Sequence, residues 1–368
     1  MPNTNPSSPL AARYSLAALL EPTSLAKLAA IGAIVLAIIV LFLWTGGWLS
    51  AGRLTPTRMI DSFEDVNGLH PGFRRNHAKG VCLEGSFESN GAGARLSTAS
   101  VFKPGRVPVF GRFALAGGLP MMPDGPAAVR SMALNFALPD GEVWRTGIND
   151  IPVFPVKDLQ AFYEQLLSSR RDPRTGKPDP EAQKAFFAAH PETAKAMAII
   201  KAHPFSSGFA NATYNALNAF LFVDEAGKTT PVRWSMVAVD VFAPEPSNSP
   251  ADKNYLFDEL IARAQKAPAE WRLILTVGQP GDPTNDATLP WPADRPQVDA
   301  GTLSVDRIVA EADGNCRDIN FDPLAVPAGI KPSDDPLLSA RSAAYSVSFT
   351  RRAGEAKTPS AVQVPGGK

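Results

Sequence analysis

Residues 321–345 read FDPLAVPAGIKPSDDPLLSARSAAY and form the most informative stretch of the chain. A helix is predicted from Pro336 to about Arg351, because proline is common at the first helical position. Arg341 and Tyr345 lie four residues apart and therefore share one face of this helix. A guanidinium beside a phenol lowers the phenol pKa and favours tyrosinate, an anionic oxygen able to ligate ferric heme. Spacing alone favours the simpler interpretation, an ordinary surface pair of arginine and tyrosine.

The composition is that of a globular protein. The 368 residues include 36 basic and 36 acidic side chains, so the formal net charge is +0 at pH 7. Phosphate binding needs a positive excess on some face, which argues against a nucleic-acid partner. Hydrophobic residues make up 45% and charged residues 20%, enough apolar material for a core. The 2 cysteines are too few for a disulfide-built miniprotein or a zinc ribbon.

Alternation of apolar and polar residues after about residue 60 predicts one large domain with several half-buried strands. Helical patterns lie apart from the strand patterns, which favours an α+β fold. The predicted strands are 129–138, 218–224, 232–242 and 271–278, and the predicted helices are 180–189, 191–203, 251–266 and 336 to about 351. The chain is divided into a short N-terminal tail (1–27), a transmembrane anchor (28–49), a linker (50–60), the folded domain (61–353) and a flexible C-terminal tail (354–368).

Residues 28–49 read LAAIGAIVLAIIVLFLWTGGWL and contain no charged side chain. A helix of this length spans roughly 30 Å, the thickness of the hydrocarbon core of a bilayer. A cleavable signal peptide normally has an apolar region of only about 7–15 residues, which favours a retained anchor with Trp44 and Trp48 at one interface. Two alternatives stay open: cleavage near Ser50-Ala51-Gly52, and a buried helix of a soluble protein.

The charges that flank this single span are balanced. Arg13 and Lys27 precede it, and Arg53 and Arg58 follow it. The working hypothesis is a short N-terminal tail inside the cell and a folded domain in the periplasm or another extracytoplasmic space.

Four histidines, His70, His77, His190 and His203, lie in different sequence contexts, which makes a multi-histidine metal site improbable. His190 and His203 end predicted helices, where a histidine complements the helix dipole. His77 differs, because its segment GFRRNHAKGVCLEGSF is a cationic lead-in that runs into a strand-like stretch. A lone histidine is more often structural than catalytic, so this segment alone leaves the role of His77 open.

Taken together, five segments resemble those of the heme catalase superfamily, and more closely its smaller catalase-related peroxidase branch. RRNHAKG at 74–80 resembles the distal histidine motif, and GINDIPVFPVKD at 147–158 resembles the distal asparagine segment. GRFALAG at 111–117 resembles the strand that supplies a propionate-binding arginine. LPWPADRPQVDAGTLSVDRI at 289–308 resembles a proline-rich wrapping stretch, and 321–345 resembles the segment that ends in the proximal tyrosine. The resemblance covers about 61–352 and implies a catalase-like antiparallel β-barrel with surrounding helices.

The resemblance also implies a role for each matching residue. His77 would be the distal acid–base group and Asn149 its partner on the peroxide. Tyr345 would be the axial ligand of a heme b iron, kept anionic by Arg341. The remaining matches are the propionate-binding arginines Arg74, Arg112 and Arg352, and the porphyrin-packing aromatics Phe162 and Phe321.

Three positions depart from the family pattern. Asn76 replaces an apolar residue before the distal histidine, and Ala114 stands where catalases usually place a serine that bonds the imidazole, so the orientation of His77 is expected to be less secure. Ala128 stands where true catalases keep an acidic residue in the access channel. With little wrapping of the site, a peroxidase is expected that uses a small organic or protein electron donor, has weak catalase activity at most, and is a monomer or dimer.

Two other functions are compatible with the same blocks. A fatty-acid hydroperoxide isomerase shares the tyrosinate region but rearranges its substrate without a donor. A heme carrier or sensor needs Tyr345 and the propionate contacts but not His77 and Asn149, so the presence of both argues against it.

Cys82 and Cys316 lie five residues from His77 and Phe321, respectively, so both could lie near the heme. A disulfide between them and a buried free Cys82 are both left open. A thiolate ligand to the heme is not indicated by either flanking sequence.

Overall fold

The computed structural model describes residues 22–46, 49, 52–125, 128–245 and 252–365. The chain divides into two compact units, Met1–Thr55 and Pro56–Lys368. The second unit begins five residues before the predicted domain start, because a helix with proline at its first position runs from Pro56 and buries Met59 and Ile60.

The first unit contains helix α1, Pro22–Thr45, which has no buried residue. The helix is long and apolar enough to cross a membrane, and a signal sequence near the N-terminus has the same properties. The helix begins six residues before the predicted span. Trp44 is exposed on it, whereas Trp48 and Arg13 lie outside the described residues.

The second unit is built on an antiparallel sheet that closes into a barrel. The strand order is β10-β6-β7-β5-β4-β3-β2-β1-β9-β8, and an additional pairing of β7 with β8 closes eight of these strands. The strands are β1 (Gly80–Ser89), β2 (Gly105–Leu115), β3 (Arg130–Ala137), β4 (Val143–Asn149), β5 (Tyr214–Asn215), β6 (Phe220–Val223), β7 (Thr229–Ala238), β8 (Ala269–Val277), β9 (Gln297–Val309) and β10 (Ile330–Pro332).

Helices pack around this barrel, which confirms the predicted α+β class and β-barrel architecture. They are α2 (Pro56–Asn67), α3 (Leu159–Ser168), α4 (Pro180–Ala189), α5 (Pro191–Ala202), α6 (Tyr255–Lys266) and α7 (Pro336–Ala353). Short 3₁₀ turns lie at Ala92–Arg95, Ser100–Phe102 and Cys316–Asp318. Proline at the first position of α4, α5 and α7, with Asp179 and Asp335 capping α4 and α7, explains why these starts match the sequence pattern.

The main core fills the barrel with inward-facing side chains of alternate strand residues. On β7 and β8 the buried positions include Trp234, Met236, Trp271 and Leu273. Trp144 stacks on Phe136 with ring centroids 4.9 Å apart. Period-two burial is what makes these strands visible in the sequence.

The structure corrects several predicted bounds. Strand β7 ends at Ala238, because Val241 and Phe242 are exposed in the following loop. The expected wrapping stretch 289–308 contains most of β9, which begins after the last proline of that stretch. The described residues 354–365 differ from the expected flexible tail: Ser360 and Val362 are buried, and Val362 belongs to the main core.

Candidate active site

A cavity between strands β2–β4 and helices α2, α3 and α7 brings all nine predicted site residues together. It holds about 1250 Å³ of space free of protein atoms, its open mouth included. Its walls are mostly apolar, with Met59, Phe63 and Leu217 among them. The nine predicted residues on its lining are Arg74, His77, Arg112, Asn149, Phe162, Phe321, Arg341, Tyr345 and Arg352.

His77 is held in a backbone conformation that is uncommon for a residue other than glycine. Its φ is 55°, and it is the one non-glycine residue with positive φ in the described part of the chain. The side-chain Oδ1 of Asn76 accepts hydrogen bonds from the amides of His77 and Gly117, at 3.0 and 2.9 Å. Arg112 Nη1 donates to the carbonyl of His77 at 2.8 Å. Asn76, expected to make this histidine less secure, therefore helps to fix it.

The imidazole of His77 is held by a residue that the sequence did not reveal. Ser131 Oγ on β3 lies 3.0 Å from His77 Nδ1 and 2.5 Å from Asn149 Oδ1. His77, Ser131 and Asn149 are called the polar triad below. Burial, followed by the positive charges of Arg112, Arg341 and Arg74, lowers the pKa of His77 to about 3, so its imidazole is neutral.

Three guanidinium groups, those of Arg74, Arg112 and Arg352, form a cationic cluster at the cavity. Arg112 donates to Glu311 Oε1 from Nε at 3.0 Å and from Nη2 at 2.7 Å. Arg74 Nη2 donates to the carbonyls of Cys316 and Ile319, both at 2.9 Å, while its Nε is buried without a partner. Of these three arginines, Arg112 is the one that bonds a buried carboxylate in the described structure.

Burial and the neighbouring positive charges lower the pKa values of Arg74 and Arg352. Burial first, and then the charges of Arg352 and Arg112, lowers the pKa of Arg74 well below its ordinary value. Burial and Arg112 likewise lower the pKa of Arg352 to about 10. A ligand that carried two negative charges would relieve this repulsion.

Helix α7 presents Arg341 and Tyr345 on one face, as their spacing predicts. The Arg341 Cζ atom lies 5.9 Å from the centroid of the Tyr345 ring. A Cβ atom on Gly147 of β4 would lie 3.7 Å from Arg341 Nη2 and 3.8 Å from Tyr345 Oη, so both groups face this glycine. The Arg341 guanidinium and the Tyr345 hydroxyl therefore lie close to the same part of the cavity wall, at Gly147.

A short chain of hydrogen bonds connects Arg341 to Asp335 through Asn218. Arg341 Nη1 donates to Asn218 Oδ1 at 2.5 Å, and Asn218 Nδ2 donates to Asp335 Oδ2 at 2.8 Å. Asp335 also caps α7 through Leu337. Burial raises the pKa of Asp335, while its hydrogen bonds to Asn218 and Leu337 act in the opposite direction.

Comparison with known proteins agrees with this geometry. The catalase family profile matches residues 55–365. This chain belongs to the catalase family. It is 37% identical over 312 residues to the catalase-related peroxidase of Synechococcus elongatus, covering 84% of this chain and 91% of that protein. The catalase-related peroxidase of Mycolicibacterium paratuberculosis is 30% identical over 307 residues, covering 83% of this chain and 96% of that protein.

Solved catalases share the fold of this family member at lower sequence identity. A fungal catalase superposes with a TM-score of 0.70 and 18% identity, covering 84% of this chain and 66% of that one. A bacterial catalase superposes with a TM-score of 0.69 and 22% identity, covering 86% and 66%. The chain therefore spans about two thirds of these solved catalases.

Catalases are heme enzymes, and the residues of this catalase-family cavity fit a heme. The cavity lining contains no aspartate or glutamate among the described residues, whereas the cationic cluster suits two propionates. The unpartnered Arg74 Nε is a further donor for an anionic group. Phe162 and Phe321 line the cavity with flat apolar rings on which a porphyrin could pack, and the Tyr345 phenol is a group able to ligate iron.

In this catalase-family chain, Cys82 and Cys316 form a disulfide, which resolves the alternative left open by the sequence. The bond joins β1 to the 3₁₀ turn Cys316–Asp318. That turn provides the Cys316 carbonyl to Arg74 and the Arg317 carbonyl to Arg352. The disulfide therefore supports two members of the cationic cluster.

Sequence reasoning missed Ser131, Asn218, Glu311 and Asp335, which position the predicted residues. Each is a common polar residue without a local motif of its own. Strand register supplies the missing signal, because β2 and β3 pair Ala114 with Ser131 and so place both on the same face.

Proposed function

We propose that the protein is a membrane-anchored heme b peroxidase that reduces hydrogen peroxide or small organic hydroperoxides with an external electron donor. The observation that carries this proposal is the placement of His77, Asn149, Tyr345 and the cationic cluster around one cavity. Heme bound there would supply a redox-active iron; Tyr345 would hold that iron through its phenol oxygen, and Arg341 would stabilise the tyrosinate. Arg74, Arg112 and Arg352 would hold the propionates, and Phe162 and Phe321 would pack on the porphyrin.

The polar triad would handle the proton of the peroxide. Neutral His77 takes a proton from one peroxide oxygen and returns it to the departing oxygen, so that water or an alcohol leaves. Asn149 orients the peroxide through its amide hydrogens and stabilises the negative charge that develops on oxygen. Two electrons from the donor balance the reaction: a hydroperoxide and a reduced donor yield an alcohol, water and the oxidised donor.

Weak disproportionation of hydrogen peroxide is proposed for the same site. Ala128 stands where the family pattern of true catalases has an acidic channel residue, so that channel carboxylate is missing here. The two relatives named as catalase-related peroxidases support the same choice. Steady-state assays of the heme-loaded protein should give faster oxidation of a phenolic donor than release of oxygen. Oxygen release far faster than donor oxidation would refute the peroxidase assignment.

The same assay separates the two alternative functions. A fatty-acid hydroperoxide isomerase would convert a lipid hydroperoxide without consuming the donor. A heme carrier would bind heme and turn over neither peroxide nor donor. The hydrogen-bonded His77 and Asn149 support the peroxidase over the carrier.

Anchoring and location are proposed from two features. Helix α1 has the length and composition of a single membrane span. The Cys82–Cys316 disulfide favours an oxidising compartment, which supports a periplasmic or other extracytoplasmic domain. A C-terminal reporter active only outside the cytoplasm should be functional in the fusion protein; activity of a cytoplasm-specific reporter would reverse the topology. Oligomeric state, proposed as monomer or dimer, is measured by light scattering of the detergent-solubilised protein.

A further inference from the structure

Ser131 is the one side chain that connects His77 to Asn149 among the described residues. Its Oγ lies 2.5 Å from Asn149 Oδ1 and 3.0 Å from His77 Nδ1, and all three residues line the cavity. Serine has a single hydroxyl proton, so it can donate to only one of these two neighbours.

Counting protons assigns the direction of both hydrogen bonds. The carbonyl oxygen Oδ1 of Asn149 can only accept, so the Ser131 hydroxyl donates to it. With its only proton used there, Ser131 Oγ must accept the hydrogen bond from His77 Nδ1. His77 therefore carries its proton on Nδ1, which leaves Nε2 unprotonated as the basic nitrogen. Asn149 is held with its Nδ2 hydrogens free of any partner in the described structure.

This hydroxyl lies across the sheet from position 114, where the family pattern has a serine. Ser131 on β3 is the direct cross-strand partner of Ala114 on β2. Side chains of such a pair lie on the same face of the sheet with Cβ atoms about 5 Å apart. Ala114 also lines the cavity, so a hydroxyl could reach the imidazole from either strand.

We propose that Ser131 is a positioning residue that sets the tautomer of His77 and the orientation of the Asn149 amide, in place of a serine at position 114. The inference rests on the proposed function, because it assigns Ser131 a part in peroxide reduction. Beyond the proposed function, it assigns to the Ser131 hydroxyl on β3 the orientation of both the His77 imidazole and the Asn149 amide.

The test compares four variants of the heme-loaded protein. Ser131→Ala removes the hydroxyl, Ser131→Thr keeps it in place, and Ser131→Ala with Ala114→Ser returns it from β2. Ser235→Ala is the matched control, because Ser235 Oγ donates to Asn215 Oδ1 at 2.7 Å in the same barrel, outside the cavity lining. Two rates are measured. The first is the rate of peroxide-dependent donor oxidation, and the second is the rate of cyanide binding, which is monitored through the change in heme absorption. Hydrogen cyanide must give its proton to a base as it binds, so its rate reports on His77 independently of turnover.

Ser131→Ala should lower both rates by about 10- to 100-fold with heme content and melting temperature unchanged, as expected for the loss of one orienting hydrogen bond. At least one of the two hydroxyl-bearing variants should recover most of the loss, and Ser235→Ala should match the wild type. Wild-type cyanide and donor rates in Ser131→Ala would overturn the proposal. A loss that neither hydroxyl-bearing variant recovers would also overturn it. If the wild type bound cyanide but oxidised no donor, the proposed function would fail, and the cyanide rates would still decide the role of Ser131.

Discussion

The polar triad and the cationic cluster border the same cavity but differ in how far the protein satisfies them. In the triad, Ser131 bonds both His77 and Asn149, and the imidazole is neutral. In the cluster, Arg112 alone bonds a carboxylate, that of Glu311, in the described structure, and Arg74 keeps an unpartnered buried nitrogen. The hydrogen bonds of the polar triad are therefore complete in the protein alone, whereas the positive charge of the cationic cluster would be balanced by an anionic ligand.

The largest expected effect comes from breaking the triad at His77. His77→Gln should lower peroxide-dependent donor oxidation by about 10²–10⁴-fold, the usual contribution of a general acid–base group, while heme content stays at the wild-type level. Tyr345→Phe should instead reduce heme retention, which is measured by heme absorption after gel filtration. His70→Gln is the matched control, since His70 bonds the Asn67 carbonyl away from the cavity. Equal loss of heme in His77→Gln would contradict this division.

The next effect separates the paired and unpaired members of the cationic cluster. Arg112→Met leaves Glu311 buried without its partner, which should lower the free energy of unfolding by about 3–5 kcal/mol. Arg74→Met removes a charge without a carboxylate partner, so it should destabilise the protein less. Both variants should bind heme more weakly in titrations. Equal destabilisation in urea unfolding would show that the charge balance of the two arginines is the same.

Removal of the Cys82–Cys316 disulfide tests whether this bond stabilises the cationic cluster. Cys82→Ser with Cys316→Ser should lower the free energy of unfolding by about 2–4 kcal/mol. Heme affinity should fall as well, because the turn Cys316–Asp318 supplies carbonyls to Arg74 and Arg352. The rate of cyanide binding per heme should stay within about twofold, because the hydrogen bonds of the triad in the described structure do not involve the turn. A large change in that rate would show that the two parts of the site are coupled.

The smallest effect concerns the neutral state of His77. Its pKa is lowered to about 3 in the folded protein, against about 6.5 in an unfolded chain. The unfolded chain therefore binds the extra proton between these values, so the free energy of unfolding falls as the pH drops from 6.5 toward 3. From pH 6.5 to 5.5 this group should account for a loss of about 1 kcal/mol, which His77→Gln should remove. Urea unfolding of both proteins at the two pH values checks this difference.

The sequence predicted the parts of the fold that carry a local signal. Helices α4 and α7 have proline at the first position and an aspartate cap, and both starts were predicted at the correct residue. Strand β9 was missed because prolines precede it, and because one of its two partners, β1, lies at the other end of the folded domain in the chain. Closure of the barrel through β7 and β8 is likewise a property of pairing that alternation alone does not reveal.

The candidate site divides in the same way. Residues within family motifs, such as His77 and Tyr345, were predicted, and the structure places them on one cavity. Their supports were not, because Ser131 reaches His77 across 54 positions and Arg341 reaches Asn218 across 123. The expectation that the orientation of His77 is less secure was wrong. Asn76 accepts a hydrogen bond from the His77 amide and Ser131 bonds its imidazole, and neither contact is visible from the sequence position alone.

The central claim is tested most directly by the optical spectrum of the purified protein before and after one equivalent of peroxide with a phenolic donor present. The account predicts bound heme with the absorption of a tyrosinate-ligated ferric iron, a spectral change on addition of peroxide, and return of the starting spectrum as the donor is oxidised. A protein that binds heme but shows no change with peroxide would contradict the peroxidase function. A protein that takes up no heme would contradict the assignment of the cavity itself.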